Sequence, residues 1–298
     1  MTALLDSADL DQAGDTGTTL ARLVRAEFMK LRTTDAGWLF LAGFIVFTVL
    51  ALTINGFGIH DQLYPQKGLD SPQALALAAR SHTPAGVAAI AASMMTSGHL
   101  FGVMFALLLG VLVVTSEFAN QTAAVTFVTV PRRATVIKAK VAAAACCGAL
   151  FWLVGTVLAA VATPLFLYTQ HISTSLAGWT VARSVLLNLL ALVAWGIFGL
   201  GFGAVLRNQM ASVIGAVVVY GGSFGAEIVF TLLYNLFHQD WLLAGPVIAP
   251  AVASEVMVTS GPAFPYAPPW WVGGVILIGY TVALVAGGIT LTKQRDVI

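Results

Sequence analysis

Long apolar runs alternate with short polar segments along most of this chain. Each run has at least the ~20 predominantly apolar residues that a helix needs to cross a bilayer. The runs cover residues 37–56, 86–115, 141–168, 181–206, 210–237 and 270–291. Before the first run, apolar residues recur on one helical face of residues 20–33, with arginines on the opposite face. The pattern predicts six transmembrane helices that follow an interfacial helix.

The segment between the fifth and sixth runs, residues 238–269, is apolar but interrupted by prolines. Pro246 and Pro250 divide it into pieces that are too short to cross the membrane. Non-helical backbone at membrane depth must be buried in protein or line a water-filled cavity. We therefore expect a re-entrant or surface-lying helical segment between spans 5 and 6, within an all-α integral membrane protein.

Composition agrees with this fold class. Of the 298 residues, 58% are hydrophobic and 9% are charged, whereas about 25% of the residues in a soluble domain are charged. Residues 1–19 carry aspartates without a basic residue. This composition predicts a disordered cytoplasmic tail, followed by a transmembrane domain over residues 20–298.

The basic residues predict the orientation of the chain. If the amino terminus is cytoplasmic, 11 of the 14 Lys and Arg residues fall on the cytoplasmic side, as the positive-inside rule requires. They are Arg22, Arg25, Lys30, Arg32, Arg132, Arg133, Lys138, Lys140, Arg207, Lys293 and Arg295. Six spans return the carboxyl terminus to the same side. We expect a multi-pass plasma-membrane protein with both termini in the cytoplasm.

The sequence has no pattern that predicts a catalytic residue, a cofactor or a metal site. The Gly-Lys dipeptide of a phosphate-binding P-loop does not occur. The glycines of residues 199–203 lie inside a predicted span, where small residues favour close helix contact rather than dinucleotide binding. Gly221 and Gly225 have a similar small-residue spacing. The five histidines form no dense ligand cluster.

Three polar residues inside predicted spans are candidates for a substrate path. They are His99 in the second span, Asn188 in the fourth and Glu227 in the fifth. Polar groups are costly in lipid and usually face a cavity or a protein partner. The alternative is that they only connect the helices by hydrogen bonds. That alternative is favoured for Asn188, and both interpretations stay open for His99 and Glu227.

The stretch between the second and third spans, residues 116–140, has a motif of its own. It holds one acidic residue, Glu117, and four of the 14 Lys and Arg residues. It resembles the first cytoplasmic loop of ABC-2 type permeases, the membrane subunits of bacterial ABC exporters. There, a motif like E-[FY]-R-x-G-T ends the second span, and a Pro-x-Arg and a Lys follow. The matching residues are Glu117, Phe118, Thr122, Pro131, Arg133 and Lys140. Ala119 stands where the family usually has Arg, and Gln121 where it has Gly.

Residues 26–38, AEFMKLRTTDAGW, are also similar to the opening of that family. The resemblance implies a permease without its own ATPase, paired with a second permease subunit, identical or related, and with separate ABC ATPase subunits. It implies that residues 117–140 couple to the ATPase, through Glu117, Phe118, Thr122, Pro131, Arg132, Arg133, Lys138 and Lys140. The polar residues of the interfacial helix are Arg25, Glu27, Lys30 and Arg32.

The expected activity is export of a small molecule or an amphipathic, lipid-like substrate by alternating access. One alternative is an ion-coupled secondary transporter, which needs an intramembrane ion site. Another is a membrane-anchored sensor or assembly protein. Glu27 lies on the apolar side of its helix, so it either pairs locally with Lys30, three residues on, or contacts a partner protein.

Overall fold

Helices form nearly all of the described chain. The computed structural model describes residues 20–65, 71–120, 133–172, 176–261, 263–264 and 266–294, and these residues contain no strand. The α-helices are α1 (Leu20–Thr33), α2 (Asp35–Leu63), α3 (Pro72–Ser81), α4 (Pro84–Met95), α5 (His99–Ala119), α6 (Arg133–Thr169), α7 (Trp179–Leu206), α8 (Gln209–Phe237), α9 (Pro250–Val258) and α10 (Trp270–Gln294), and a 3₁₀ helix covers Asp240–Ile248. The all-α prediction is confirmed.

Six segments of the described chain are long and apolar enough to cross a membrane. They are α2, α4 together with α5, α6, α7, α8 and α10. The second segment is broken at residues 96–98. The Thr96 hydroxyl donates to the Ala92 carbonyl at 2.9 Å and the Ser97 hydroxyl to the Ser93 carbonyl at 3.0 Å. Such bonds to carbonyls four residues back compete with the helix ladder and bend helices.

A bent pair of helices lies between the fifth and sixth spans, where the sequence predicts a re-entrant or surface-lying helical segment. The 3₁₀ helix and α9 meet at 98°. The bend lies at Ala249, whose backbone is extended (φ −71°, ψ 130°), as expected for a residue that precedes a proline. Helix α9 packs against α10 and α7, and it buries Val252, Ala253 and Met257.

Helix α7 is the central helix and packs against α5, α6 and α10. A Cβ atom at Gly199 would lie 2.0 Å from the Leu107 carbonyl oxygen of α5, and one at Gly201 would lie 2.9 Å from the Leu284 carbonyl carbon of α10. Glycine therefore allows backbone to meet backbone here, which confirms the close contact predicted for residues 199–203. Gly221 and Gly225 of α8 differ, because no described atom lies within 4 Å of a Cβ built there.

The bundle has two chemically different ends. We call the end with α1, the end of α5 and the start of α6 the basic end. The far end carries α3, α4 and the bent pair of helices. At the basic end, α1 packs on α6 and turns sharply into α2. The turn needs Gly37, because a Cβ there would lie 2.3 Å from the Leu31 carbonyl oxygen. The Trp38 indole donates to the Arg32 carbonyl at 3.1 Å and stabilises the turn.

Candidate functional sites

Four charged side chains from three helices meet at the basic end. We call Glu27 and Lys30 of α1, Glu117 of α5 and Lys140 of α6 the charge cluster. The Lys30 ammonium lies 2.9 Å from a Glu27 carboxylate oxygen and 2.6 Å from a Glu117 oxygen. The Lys140 ammonium lies 3.1 Å from Glu27 and 2.8 Å from Glu117. Each carboxylate therefore contacts both ammonium groups.

Most of the charge cluster is buried. Glu27, Glu117 and Lys140 are 7%, 6% and 4% exposed. Lys140 also donates to the Val113 carbonyl at 3.2 Å, so its ammonium has three acceptors, one for each of its protons. Two acids and two bases sum to no net charge. A buried charge without a partner is strongly destabilising, so the cluster holds α1, α5 and α6 together.

Lys30 is the exposed member of the charge cluster. Burial alone would lower the pKa of its ammonium, but hydrogen bonds and charge interactions with Glu117 and Glu27 outweigh this and raise the pKa above its ordinary value. Lys30 therefore stays protonated at physiological pH. The predicted local pair of Glu27 with Lys30 is confirmed. The sequence did not predict its extension to Glu117 and Lys140.

Basic side chains surround the charge cluster. Arg25 and Arg32 of α1 and Lys138 of α6 are exposed. Phe118 is half-buried, and the Arg207 guanidinium lies 5.7 Å from its ring centre. Arg207 also donates to the Leu291 carbonyl at 3.0 Å and so connects the end of α7 with α10. Thr122, Pro131, Arg132 and the side chain of Arg133 lie outside the described residues.

Sequence analysis did not single out Arg207 for a contact of this kind. The only feature in the sequence that could have indicated this contact is that Arg207 is a single basic residue between the fourth and fifth spans. With φ at 55°, Arg207 ends α7 in the left-handed conformation, and its side chain extends back across the basic end.

A hydrogen-bonded network at the far end is centred on His99. Its Nδ1 lies 2.9 Å from the Asn188 side-chain oxygen, and its Nε2 lies 3.0 Å from the Ser254 hydroxyl. The amide oxygen only accepts, so Nδ1 carries the proton, and Nε2 accepts from Ser254. A neutral imidazole thus uses both nitrogens to connect α5, α7 and α9. This geometry favours the bracing interpretation for Asn188, whereas His99 both connects the helices and lines the cavity beside them.

A cavity of about 370 Å³ lies beside this network, and we call it the far-end cavity. Its walls come from α2, the break at residues 96–98 and the end of α9. The Asn55 amide nitrogen donates to the Ser97 hydroxyl oxygen at 2.8 Å. The polar side chains of the wall include Asn55, Thr96, Ser97, Glu255 and Thr259. The broken span therefore provides one wall of a polar cavity.

Two carboxylates at this end interact electrostatically. Glu255 lines the far-end cavity and is close enough to Glu227 of α8 for the two charges to interact. Both residues are exposed, and apolar side chains such as Phe224 and Ile228 are exposed beside Glu227 on α8. Sequence analysis missed Glu255, although it is the one acid of the run PAVASEVMV.

The described residues contain no group of three or more His, Cys, Asp or Glu side chains that could hold a metal ion. A family model described as ABC-2 family transporter protein matches residues 23–223. The match takes in α1, the charge cluster and the chain as far as the middle of α8. Glu227 and Glu255 lie beyond it. A comparison with curated proteins gives no match.

Proposed function

This chain belongs to the ABC-2 transporter family, and from that premise we propose that it is the permease subunit of an exporter whose ATP hydrolysis occurs in a separate subunit. Six apolar helices make it a multi-pass membrane protein. The family implies association with an ATPase subunit in general. The charge cluster supports the finer assignment most directly, because it connects α1 with the two helices that flank the proposed coupling segment.

The basic end faces the cytoplasm in this proposal. Exposed Arg22, Arg25, Arg32 and Lys138 cluster there, which is what the positive-inside rule expects of a cytoplasmic surface. Both termini are then cytoplasmic, in a plasma membrane. The ATPase binds against α1 and the segment that follows Glu117, with charged side chains fixing the orientation of the two proteins.

The charge cluster transmits the motion of the ATPase. Separating α1 from α5 and α6 would break the Lys30–Glu117 and Lys140–Glu27 ion pairs and leave each buried charge with one partner fewer. The three helices therefore move together when the ATPase subunits change state. Helix α5 has 21 residues, or about 30 Å at 1.5 Å per residue, and its other end holds His99 at the far-end cavity. Displacement at one end thus changes the cavity at the other, as alternating access requires.

A second permease subunit, identical or related, covers α8. A carboxylate at Glu227 costs about 2.5–3.5 kcal/mol if it faces lipid at the centre of a span, so it favours a protein or aqueous neighbour. Gly221 and Gly225 lie open on the same helix and allow close approach of another helix. A small or amphipathic, lipid-like substrate then passes between the two subunits, beside Glu227.

Charge reversal at the coupling surface tests the proposal. The permease is co-expressed with the Walker-motif ATPase encoded beside its gene, and substrate-stimulated ATP hydrolysis is measured in proteoliposomes. Lys138→Glu reverses an exposed charge without touching the charge cluster. We expect stimulated hydrolysis to fall about tenfold, which corresponds to about 1.4 kcal/mol of lost association.

Arg80→Glu is the matched control, because Arg80 is exposed on α3 at the far end. It should leave hydrolysis unchanged. Equal effects of the two charge reversals would contradict the assigned coupling surface. If the co-expressed ATPase shows no response to the permease, the proposed partnership loses its support, whereas membership of the ABC-2 family stands.

An ion-coupled secondary transporter is the second candidate, and the neighbouring carboxylates Glu227 and Glu255 favour it. Two acids at membrane depth can take up a cation together. The two mechanisms differ in their energy source. Export from vesicles that contain ATP but no ion gradient would support the ABC mechanism, and export that needs only the gradient would support the alternative.

A further inference from the structure

Four polar side chains that line the far-end cavity use their hydrogen-bond donors within the protein. The hydroxyl protons of Thr96 and Ser97 go to carbonyls of their own helix, and the Thr259 hydroxyl donates to the Glu255 carbonyl. The Asn55 amide nitrogen donates to Ser93 and Ser97. These side chains therefore present oxygen acceptors to the cavity.

The far-end cavity has a carboxylate in its wall. Glu255 is one of its lining residues, and no Lys or Arg is among the described residues that line it. Outside the lining, the Arg183 guanidinium donates to the carbonyl of the lining residue Thr259 at 3.0 Å and lies 5.9 Å from the Trp270 ring centre. Glu227 adds a second negative charge within interaction range of Glu255. A bound cation would relieve the repulsion between these carboxylates.

The rest of the cavity wall is apolar. Ile54, Leu100, Phe101 and Val258 lie opposite or beside the polar groups. A volume of about 370 Å³ is within the range of about 300–1,000 Å³ that is typical of small-molecule sites. Oxygen acceptors, a carboxylate and apolar walls together suit a ligand that has N–H donors, a positive charge and a hydrocarbon body.

We propose that the far-end cavity binds a protonated organic amine with an apolar tail, and that Glu255 is its ion-pair partner. The N–H groups of the ammonium are donated to Glu255 and to neighbouring side-chain oxygens, and the tail contacts Ile54 and Phe101. The binding site requires only the folded permease. That this amine is also the exported substrate rests on the proposed function.

Binding is measured on the purified permease alone, in nanodiscs of zwitterionic phosphatidylcholine, with radiolabelled n-octylamine at pH 7. Empty nanodiscs correct for partition into lipid. We expect saturable binding to the permease, and we expect Glu255→Gln to weaken it about tenfold, because a charged hydrogen bond becomes a neutral one. Asp240→Asn is the matched control, since Asp240 is an exposed acid of the far end outside the cavity lining.

Ligands with the same eight-carbon chain but different head groups separate the contribution of the positive charge from that of the N–H donors. Octanoate should not compete with octylamine, because its charge is repelled by Glu255. Octyltrimethylammonium, which has the charge but no N–H donor, should compete more weakly than octylamine. Ile54→Trp should also reduce binding, since it fills the cavity without changing a charge and at an exposed position.

Three results would overturn an amine site here. They are octylamine binding that Glu255→Gln leaves unchanged, competition by octanoate equal to that of octylamine, and the absence of saturable binding. Gel filtration of each variant establishes that it remains folded. Export is measured separately, so an amine that binds without being exported would contradict the proposed cargo and leave the binding site intact.

Discussion

Both ends of the bundle bring two glutamates together, but they neutralise them differently. At the basic end, Glu27 and Glu117 each contact two lysine ammonium groups within 3.1 Å. At the far end, Glu227 and Glu255 interact with each other, and no described Lys or Arg lines the cavity beside them. At the basic end, the lysines of the same chain neutralise both glutamates. At the far end, neutralising the glutamates needs a cation or a further subunit.

The two pairs of glutamates also differ in how deeply they are buried. The acids of the basic end are buried where α1, α5 and α6 meet, whereas both acids of the far end are exposed on the single chain. The buried charge cluster, in which every charge has a partner, favours one arrangement of α1, α5 and α6. The exposed carboxylates of the far end have no such partner among the described residues of the cavity lining, so they are suited to binding and releasing a ligand. This difference supports the mechanical role that we propose for the basic end and the recognition role that we propose for the far end.

Removing Lys140 should have the largest effect on stability. Lys140→Met leaves Glu27 and Glu117 buried with only the half-exposed Lys30 as partner, so we expect a loss of about 3–5 kcal/mol in the free energy of unfolding. Thermal unfolding of the purified permease measures it. Lys138→Met is the control, because Lys138 is exposed two residues away and should cost less than about 0.5 kcal/mol. Similar melting temperatures for the two variants would remove the mechanical role of the basic end.

An intermediate effect is expected from the far-end network. Asn188→Leu leaves the His99 Nδ1–H without its acceptor, at a cost of about 1–3 kcal/mol. Replacing both partners, as in His99→Phe with Asn188→Leu, should recover part of this loss, because neither polar group is then left without a partner. A bracing role also predicts that the double variant keeps octylamine binding. Loss of binding with stability restored would instead place His99 on the ligand path.

The smallest effect should come from Lys30, which is half-exposed and screened by solvent. Lys30→Met should cost less than about 1 kcal/mol. Because the folded pKa of Lys30 is raised, its contribution is fully present below the ordinary value of 10.5 and is lost as the pH rises through the folded value. Between pH 6 and 9 the stability difference between wild type and variant should therefore stay constant. A difference that disappears within that range would contradict a charge cluster held closed by Lys30.

The transmembrane helices could be predicted because lipid imposes a simple rule on sequence. A span must be apolar over about 20 residues, and prolines that interrupt such a run prevent a span. Both signals can be read without tertiary contacts, and they predicted the six spans and the interrupted helical segment between the fifth and sixth. The amphipathic face of α1 is equally local, as is the pair of Glu27 with Lys30.

The candidate sites were harder to predict, since their residues come together only on folding. Glu117 is 87 residues from Lys30, and Lys140 is 113 from Glu27. The spacing of glycines in the sequence likewise does not show which glycines contact another helix. The residues 199–203 and the pair Gly221 and Gly225 have similar patterns, yet only the first meets another backbone within the chain. Glu255 was missed because the cavity that it lines requires α9 to turn back against the break in the second span.

The His99 network has a consequence for biosynthesis. His99 contacts Asn188, 89 residues later in the chain, and Ser254, 155 residues later. At a synthesis rate of about 5–20 residues per second, the first partner follows His99 from the ribosome after about 4 to 18 s and the second after about 8 to 31 s. During that interval the imidazole is at membrane depth without its native partners. The insertion machinery or a temporary neighbour must then shelter it, and arrival of α9 completes the far end last.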